Sequence, residues 1–235
     1  MNNNTLLLKL KQRLNKLDSQ DYDNIECWQF VEAFNKSQLE WCRRNLHGGN
    51  MYKEGDELSK KRIDDLQPLL TELSLTGAVT DTFFESNNFP VNQYLEYKKI
   101  NTNATSECCT DPRSMTVYLS EVANVNLLLR DPLKNPDFEW GETFCTMQNN
   151  TIRIYRNTDF NIVNPVLVYY RKPIYIEVLD CTDPYTGVVS LVNIECEFKD
   201  DLVEVILDDT AALIAGDIES LYQQQRGTQA AERNN

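Results

Sequence analysis

Leu6, Leu7, Leu10, Leu14 and Leu17 recur at helical spacing, and Lys9, Lys11, Arg13 and Lys16 take positions between them. The chain is therefore predicted to open on an amphipathic helix with a basic face. Asn4 or Thr5 is placed to cap it and Asp18-Ser19 to end it. A second helix is expected from about Asp23 to Leu46. Ile25, Trp28, Val31, Phe34, Trp41 and Cys42 lie near one stripe of it, and His47-Gly48-Gly49-Asn50 supplies its stop. A third runs from about Glu57 to Leu66 and halts near Pro68. Residues 1–75 read as a helical region.

From residue 76 the period changes. Ile152 and Ile154 alternate with Thr151, Arg153 and Tyr155, as a half-buried strand requires. Val166–Tyr170 and Ile174–Val178 read as two further strands, parted by Arg171-Lys172-Pro173. Ser190–Phe198 reads as a fourth, and Thr116–Leu119 as a weaker one. Asp111-Pro112, Asp131-Pro132, Asn135-Pro136, Asn164-Pro165 and Asp183-Pro184 read as turns between the runs. Short strands so divided favour an antiparallel sheet or sandwich over β-α-β units.

Residues 76–198 are thus expected to form a β domain and residues 199–222 a C-terminal helix. In the helix Val203, Leu207, Ile214, Ile218 and Leu221 keep helical spacing, and Asp200 or Asp201 is placed to cap its start. Residues 223–235 form a polar tail beginning Gln223-Gln224-Gln225-Arg226 and carrying Arg233. It has almost nothing apolar to bury, so it orders only against a partner, if at all. The expected fold class is α+β: an antiparallel β sheet or sandwich flanked by N-terminal helices and a C-terminal helix.

Charge adds direction to this picture. The net charge is −13, and it is lopsided. Residues 1–75 hold 11 Lys/Arg and 12 Asp/Glu; residues 177–235 hold 3 and 13. An acidic surface repels phosphate backbones, so sequence-specific nucleic-acid binding is not expected. The alternatives for the basic first helix are a membrane surface, an acidic neighbour or its own domain. No apolar run is long enough to span a membrane, and the first residues lack the basic start and cleavage site of a signal peptide. Seven cysteines at scattered spacing, Cys108 and Cys109 adjacent, are accordingly expected to be free thiols of a protein made in a cytoplasm.

The search for chemistry returns little. There is no G-x-x-x-x-G-K-[ST], G-x-G-x-x-G or G-x-S-x-G, and His47 is the sole histidine. No C-x-x-C pair offers zinc a site. Asp180 with Asp183, and Asp208 with Asp209, are the carboxylate pairs, but adjacent solvated carboxylates do not acquire the separated pKa values that hydrolysis needs. No catalytic residue, cofactor or metal is expected. Eleven tyrosines, among them Tyr155, Tyr169, Tyr170 and Tyr175, suit a sheet face or an interface.

Several segments, taken in order, resemble a known family. Phe89-Pro90-Val91-Asn92-Gln93-Tyr94-Leu95-Glu96-Tyr97 is followed by Ile152-Arg153-Ile154-Tyr155, by Val168-Tyr169-Tyr170-Arg171-Lys172-Pro173, and by Cys196-Glu197-Phe198 before a helix with Ala211-Ala212 and Ile214-Ala215-Gly216. This order is similar to that of head-to-tail connector and tail ring proteins of crAss-like, short-tailed bacteriophages, over roughly residues 85–225. The resemblance implies a non-enzymatic virion protein made in the host bacterial cytoplasm. It would form a ring of identical subunits, commonly twelve, stacked between portal and tail proteins. The interface residues expected on this reading are Lys9, Lys11, Arg13 and Lys16, facing the acidic zone of the next subunit, and Gln223, Gln224, Gln225, Arg226 and Arg233 of the tail. The alternatives are an assembly adaptor or chaperone not retained in the particle, and a small enzyme with an unrecognised acidic site.

Overall fold

The computed structural model of the chain describes residues 1–14, 25–46, 64–106 and 109–217. They belong to two compact units, one continuous from Leu69 to Lys172, the other joining the segments before and after it. The fold is α+β: a mostly antiparallel sheet, with helices from both ends of the chain.

The sheet unit holds β1 (Leu70–Ser74), β2 (Gly77–Val79), β3 (Phe83–Ser86), β4 (Tyr94–Ser106), β5 (Cys109–Leu119), β6 (Glu142–Gln148), β7 (Thr151–Tyr155) and β8 (Phe160–Arg171), in the order β1-β8-β4-β5-β6-β7-β3-β2. The two edge strands, β1 and β2, are joined by Leu75 and Thr76 alone. Two residues span at most about 11 Å between strand ends, whereas a flat sheet of this order would part its edges by about 33 Å. The sheet therefore curls until its edges meet. Asn88 stitches the seam, accepting from Thr76 N at 3.0 Å and donating to Ser74 O at 2.9 Å. At Gly77 a Cβ would lie 1.9 Å from the Glu85 carbonyl oxygen, so only glycine lets β2 approach β3.

Alternation along β7 buries Ile152 and Ile154, as its sequence predicts. A two-residue turn joins β6 to β7. Its Asn149 and Asn150 both have positive φ, 49° and 58°, the geometry that matches strand twist in tight hairpins. Inside the curl, Ile100, Ala104, Phe160 and Leu167 pack with Ile152 and Ile154. Tyr97 from β4 reaches across to the Cys145 sulfur on β6 at 3.9 Å, and Tyr94 to the Met147 sulfur at 3.8 Å. Burial pushes the Cys145 thiol and the Tyr94 hydroxyl each up to about 12.

Three features depart from expectation here. Leu70–Ser74 is strand β1, not the end of a helical region. Asn164-Pro165 and Asp111-Pro112 are not turns: β8 and β5 run straight through them. Opposite Asn101 and Asn103 of β4, β8 presents Val166 and Val163, so one extra residue bulges out there, with Asn164 at φ 50°. The β4–β5 ladder slips between Ala104 and Ser106, where β5 carries two extra residues. A bulge frees one residue from pairing, which is where a proline without an N–H is tolerated. Finally, β5 and β6 are parallel, joined through a crossover that contains the short helix α3 (Val125–Arg130).

The other unit holds α1 (Asn3–Arg13), α2 (Cys27–Leu46) and α4 (Asp200–Asp217). Asn2, not Asn4 or Thr5, caps α1: its side chain accepts from Asn4 N. Helix α4 packs on both α1 and α2, which explains why it buries Leu202, Val203, Ile206, Leu207, Ala211, Ile214 and Ala215, a band wider than one stripe. Asp200 and Asp201 do not cap it but lie in its first turn, where the helix dipole favours them; Lys199 O takes the first helical bond, from Val203 N. On α2 the buried stripe is Phe30, Phe34, Ser37, Gln38, Trp41 and Cys42. Of the expected third helix only residues 64–66 are described, and they are helical.

Residues 173–198 belong with these helices, not with the sheet. The two strands expected there are not ladder strands but the limbs of an irregular arm. It holds single bridges, at Glu177–Ile194 and Thr182–Val189. The helices complete its hydrogen bonding through side-chain amides. Asn35 accepts from Ile176 N at 2.9 Å and donates to Ile176 O at 3.3 Å, doing the work of a neighbouring strand. Gln38 donates to Ile174 O at 3.0 Å, and the buried Asn3 donates to Glu177 O and Ile194 O at 2.8 and 2.9 Å.

Candidate functional site

The arm turns at Asp183-Pro184-Tyr185-Thr186-Gly187, where the Asp-Pro signal does mark a turn. Asp183 accepts from Tyr185 N at 2.9 Å and from the Thr186 hydroxyl at 2.7 Å; the Thr186 bond first, then that from Tyr185, holds its carboxyl below the usual range. Gly187 closes the turn with φ 69°, a conformation that favours glycine.

Between this arm and the first turns of α2 lies an open groove of about 590 Å³, walled by Trp28, Val31, Val178, Pro184, Tyr185 and Val188. Trp28 and Val31 are the surprise. Their spacing suggests core, but the buried stripe of α2 passes through Phe30 and Phe34, part of a turn around the helix, and leaves them facing this space. The Trp28 and Tyr185 rings meet edge to face with centroids 6.1 Å apart. The charged side chains lining the groove are Glu32, Glu177 and Asp183, all acidic.

A disulfide between Cys27, the first residue of α2, and Cys181 of the arm ties the two walls together. This corrects the expectation of seven free thiols. An odd cysteine count and the first residues of a chain bear on compartment; they do not reveal that two cysteines 154 positions apart become neighbours. Cys42, Cys145 and Cys196 are free and buried. Burial raises Cys42 to about 12 and Cys196 to about 11, so neither is a thiolate at neutral pH.

A second apolar surface belongs to the sheet unit, at the β5–β6 crossover. Leu133 is 89% exposed and Trp140 81%, with Leu127 exposed as well. Tyr118, Leu119, Leu128, Leu133 and Phe144 line a cavity of about 320 Å³ there. The exposed apolar residues of the arm are comparable: Leu191 is 84% and Tyr185 78% exposed.

Two of the residues predicted to meet an acidic neighbour, Lys9 and Arg13, find acidic partners within their own chain. Lys9 pairs with Glu204, and Arg13 binds Glu204 and Asp208 at 2.5 Å each. Arg44 of α2 pairs with Asp209. The adjacent carboxylates Asp208 and Asp209 therefore diverge, one to α1 and one to α2, and serve as clamps rather than as a reactive pair. Burial works to raise Glu204, but the hydrogen bonds of Arg13 and Lys9 outweigh it and hold the carboxyl below its ordinary value. At Asp209 burial wins over Arg44 and the carboxyl is raised. Lys11 is half-exposed; Lys16, Gln223, Gln224, Gln225, Arg226 and Arg233 lie outside the described residues, as do His47 and Cys108. Among the described residues no group of three or more His, Cys, Asp or Glu side chains is placed to hold a metal ion, and no helix is long and apolar enough to cross a membrane. No family model and no curated protein matches the chain.

Proposed function

We propose that this chain is a structural subunit of a bacteriophage virion, forming a ring in the head-to-tail connector or tail between portal and tail proteins. The observation that carries its character as an assembly subunit is the presence of two exposed apolar surfaces, one in each compact unit: the arm with Tyr185 and Leu191, and the crossover with Leu133 and Trp140. Apolar side chains so exposed mark contact sites. Two different surfaces let one chain touch two different neighbours at once, as a ring subunit stacked between other proteins must. The assignment to a virion rests on the ordered segments from Phe89-Pro90 to Ile214-Ala215-Gly216, and a copy number near twelve follows from the same resemblance. The earlier picture of basic α1 meeting the acidic zone of the next subunit gives way to apolar contacts, because Lys9 and Arg13 already have carboxylate partners. Mass spectrometry of gradient-purified particles tests the proposal. The chain should be retained in fixed proportion to the portal protein. Its loss during purification would identify an assembly adaptor instead.

A further inference from the structure

We infer that the groove between α2 and the arm is a docking site for a short polypeptide segment in which an aromatic or aliphatic side chain is flanked by lysine or arginine. The site rests on the reading of the chain as an assembly subunit only in taking its occupant to be a polypeptide.

Charge complementarity selects that occupant. Residues 173–198 contain five carboxylates, at Glu177, Asp180, Asp183, Glu195 and Glu197, and no lysine or arginine. Within the groove every charged lining residue is likewise acidic: Glu32 on the α2 wall, Glu177 and Asp183 on the arm wall. Between them the lining is mostly apolar, with the hydroxyls of Thr186 and Ser190 as its uncharged polar groups. Its volume of about 590 Å³ falls in the range of binding clefts. Such a groove desolvates an apolar side chain at its floor while its rim attracts cations, and an acidic peptide would meet repulsion from both walls. Trp28 and Tyr185 add ring faces on which a lysine or guanidinium group gains a further attraction. A second copy of this chain fits less well. Its other apolar surface, residues 120–141, carries Glu121, Asp131, Asp137 and Glu139 against Arg130 and Lys134, a net negative charge that would oppose the acidic rim.

The walls are also held in place. The Cys27–Cys181 disulfide fixes the arm to the start of α2, and the amide of Asn35 pins Ile176. A peptide entering this space does not have to order the arm as it binds, which favours affinity.

The experiment uses the full chain, oxidised, as bait for a library of random short peptides; the strongest binder is then labelled and titrated by fluorescence anisotropy. Selected peptides should place lysine or arginine beside an aromatic or aliphatic residue, and binding should weaken with rising salt. Glu32→Lys, an exposed position on α2, and Tyr185→Ser should each weaken binding roughly tenfold or more. Leu133→Ser, in the other unit, should leave it unchanged, and reduction of the disulfide should weaken it. Selection of no binder, selection of peptides without basic residues, or indifference to both groove substitutions overturns the inference. A chain retained in particles whose groove selects nothing overturns this site alone. A groove that selects basic peptides in a chain absent from particles overturns the virion reading alone.

Discussion

The sheet unit and the helix-and-arm unit satisfy their backbones in different ways. In the sheet, long ladders such as β4 with β8 pair N–H and C=O groups strand to strand, and the curl brings even the edges to a shared seam at Asn88. In the arm, single bridges replace ladders, and Asn3, Asn35 and Gln38 supply the missing partners. A ladder fixes many residues at once and tolerates the loss of one. An arm held by scattered backbone bonds, three amides and a disulfide has less redundancy. It also leaves Tyr185, Val188 and Leu191 on the surface, where among the described residues no second layer covers them. A region so built is suited to meeting something else.

The largest effect should come from the sheet's closest approach. Gly77→Val places a branched side chain where even a Cβ meets the Glu85 carbonyl, and should cost about 3 kcal/mol or more, read as a drop in the denaturation midpoint. Tolerance of valine there would mean that β2 does not pair with β3. Next, Cys181→Ser should cost about 2–4 kcal/mol, because the disulfide closes a very long loop. In the wild-type chain under denaturing conditions, reduction should add two thiols to the titrated count, and a count that does not change would contradict the disulfide.

Asn35→Ala tests the arm's substitute for a ladder. It strands the N–H and C=O of the fully buried Ile176, and should cost about 1–3 kcal/mol with faster hydrogen exchange along 174–178. An unaltered exchange pattern would show that the arm holds itself.

The carboxylate clamps of α4, Glu204 to α1 and Asp209 to α2, give smaller effects of opposite sign. Glu204 has a depressed pKa in the folded chain, so its contribution is present above the unfolded glutamate value, about 4.3, and fades as pH falls through the folded value. Asp209 is raised; its charged form is disfavoured on folding, and acidification relieves that. Glu204→Gln should therefore destabilise at neutral pH by about 0.5 kcal/mol, reduced by solvent screening, while Asp209→Asn should be neutral or slightly stabilising. Equal losses from both would mean that burial does not set Asp209 apart.

Much of this contrast could be read from the chain before its structure. The alternation of Ile152 and Ile154 and the spacing of Val203, Leu207 and Ile214 named their elements correctly, because burial on one face leaves a period. Asx-Pro pairs were less informative, since a bulge inside a strand and a turn between strands make the same local demand. Asp131-Pro132 and Asp183-Pro184 turn; Asp111-Pro112 and Asn164-Pro165 do not. The arm misleads for a related reason. Ile174, Ile176 and Val178 alternate like a strand, yet buried positions fall at Pro173 and Ile176, three apart, and the pairing comes from distant amides that no local pattern announces. The groove was hidden because Trp28 and Val31 sit only a fraction of a turn from the true buried stripe. The basic α1 face and acidic α4 were both legible; that they meet within one chain is a matter of tertiary structure.

The central claim, that this chain works by burying its two apolar surfaces in a virion assembly, is tested most directly by a cryo-EM reconstruction of the intact particle. It should show a closed ring of copies at the head-to-tail junction or in the tail, with Tyr185 and Leu191 of the arm and Leu133 and Trp140 of the crossover covered by neighbouring chains. A particle in which the chain is absent, or present as isolated copies with both surfaces open to solvent, would contradict the account.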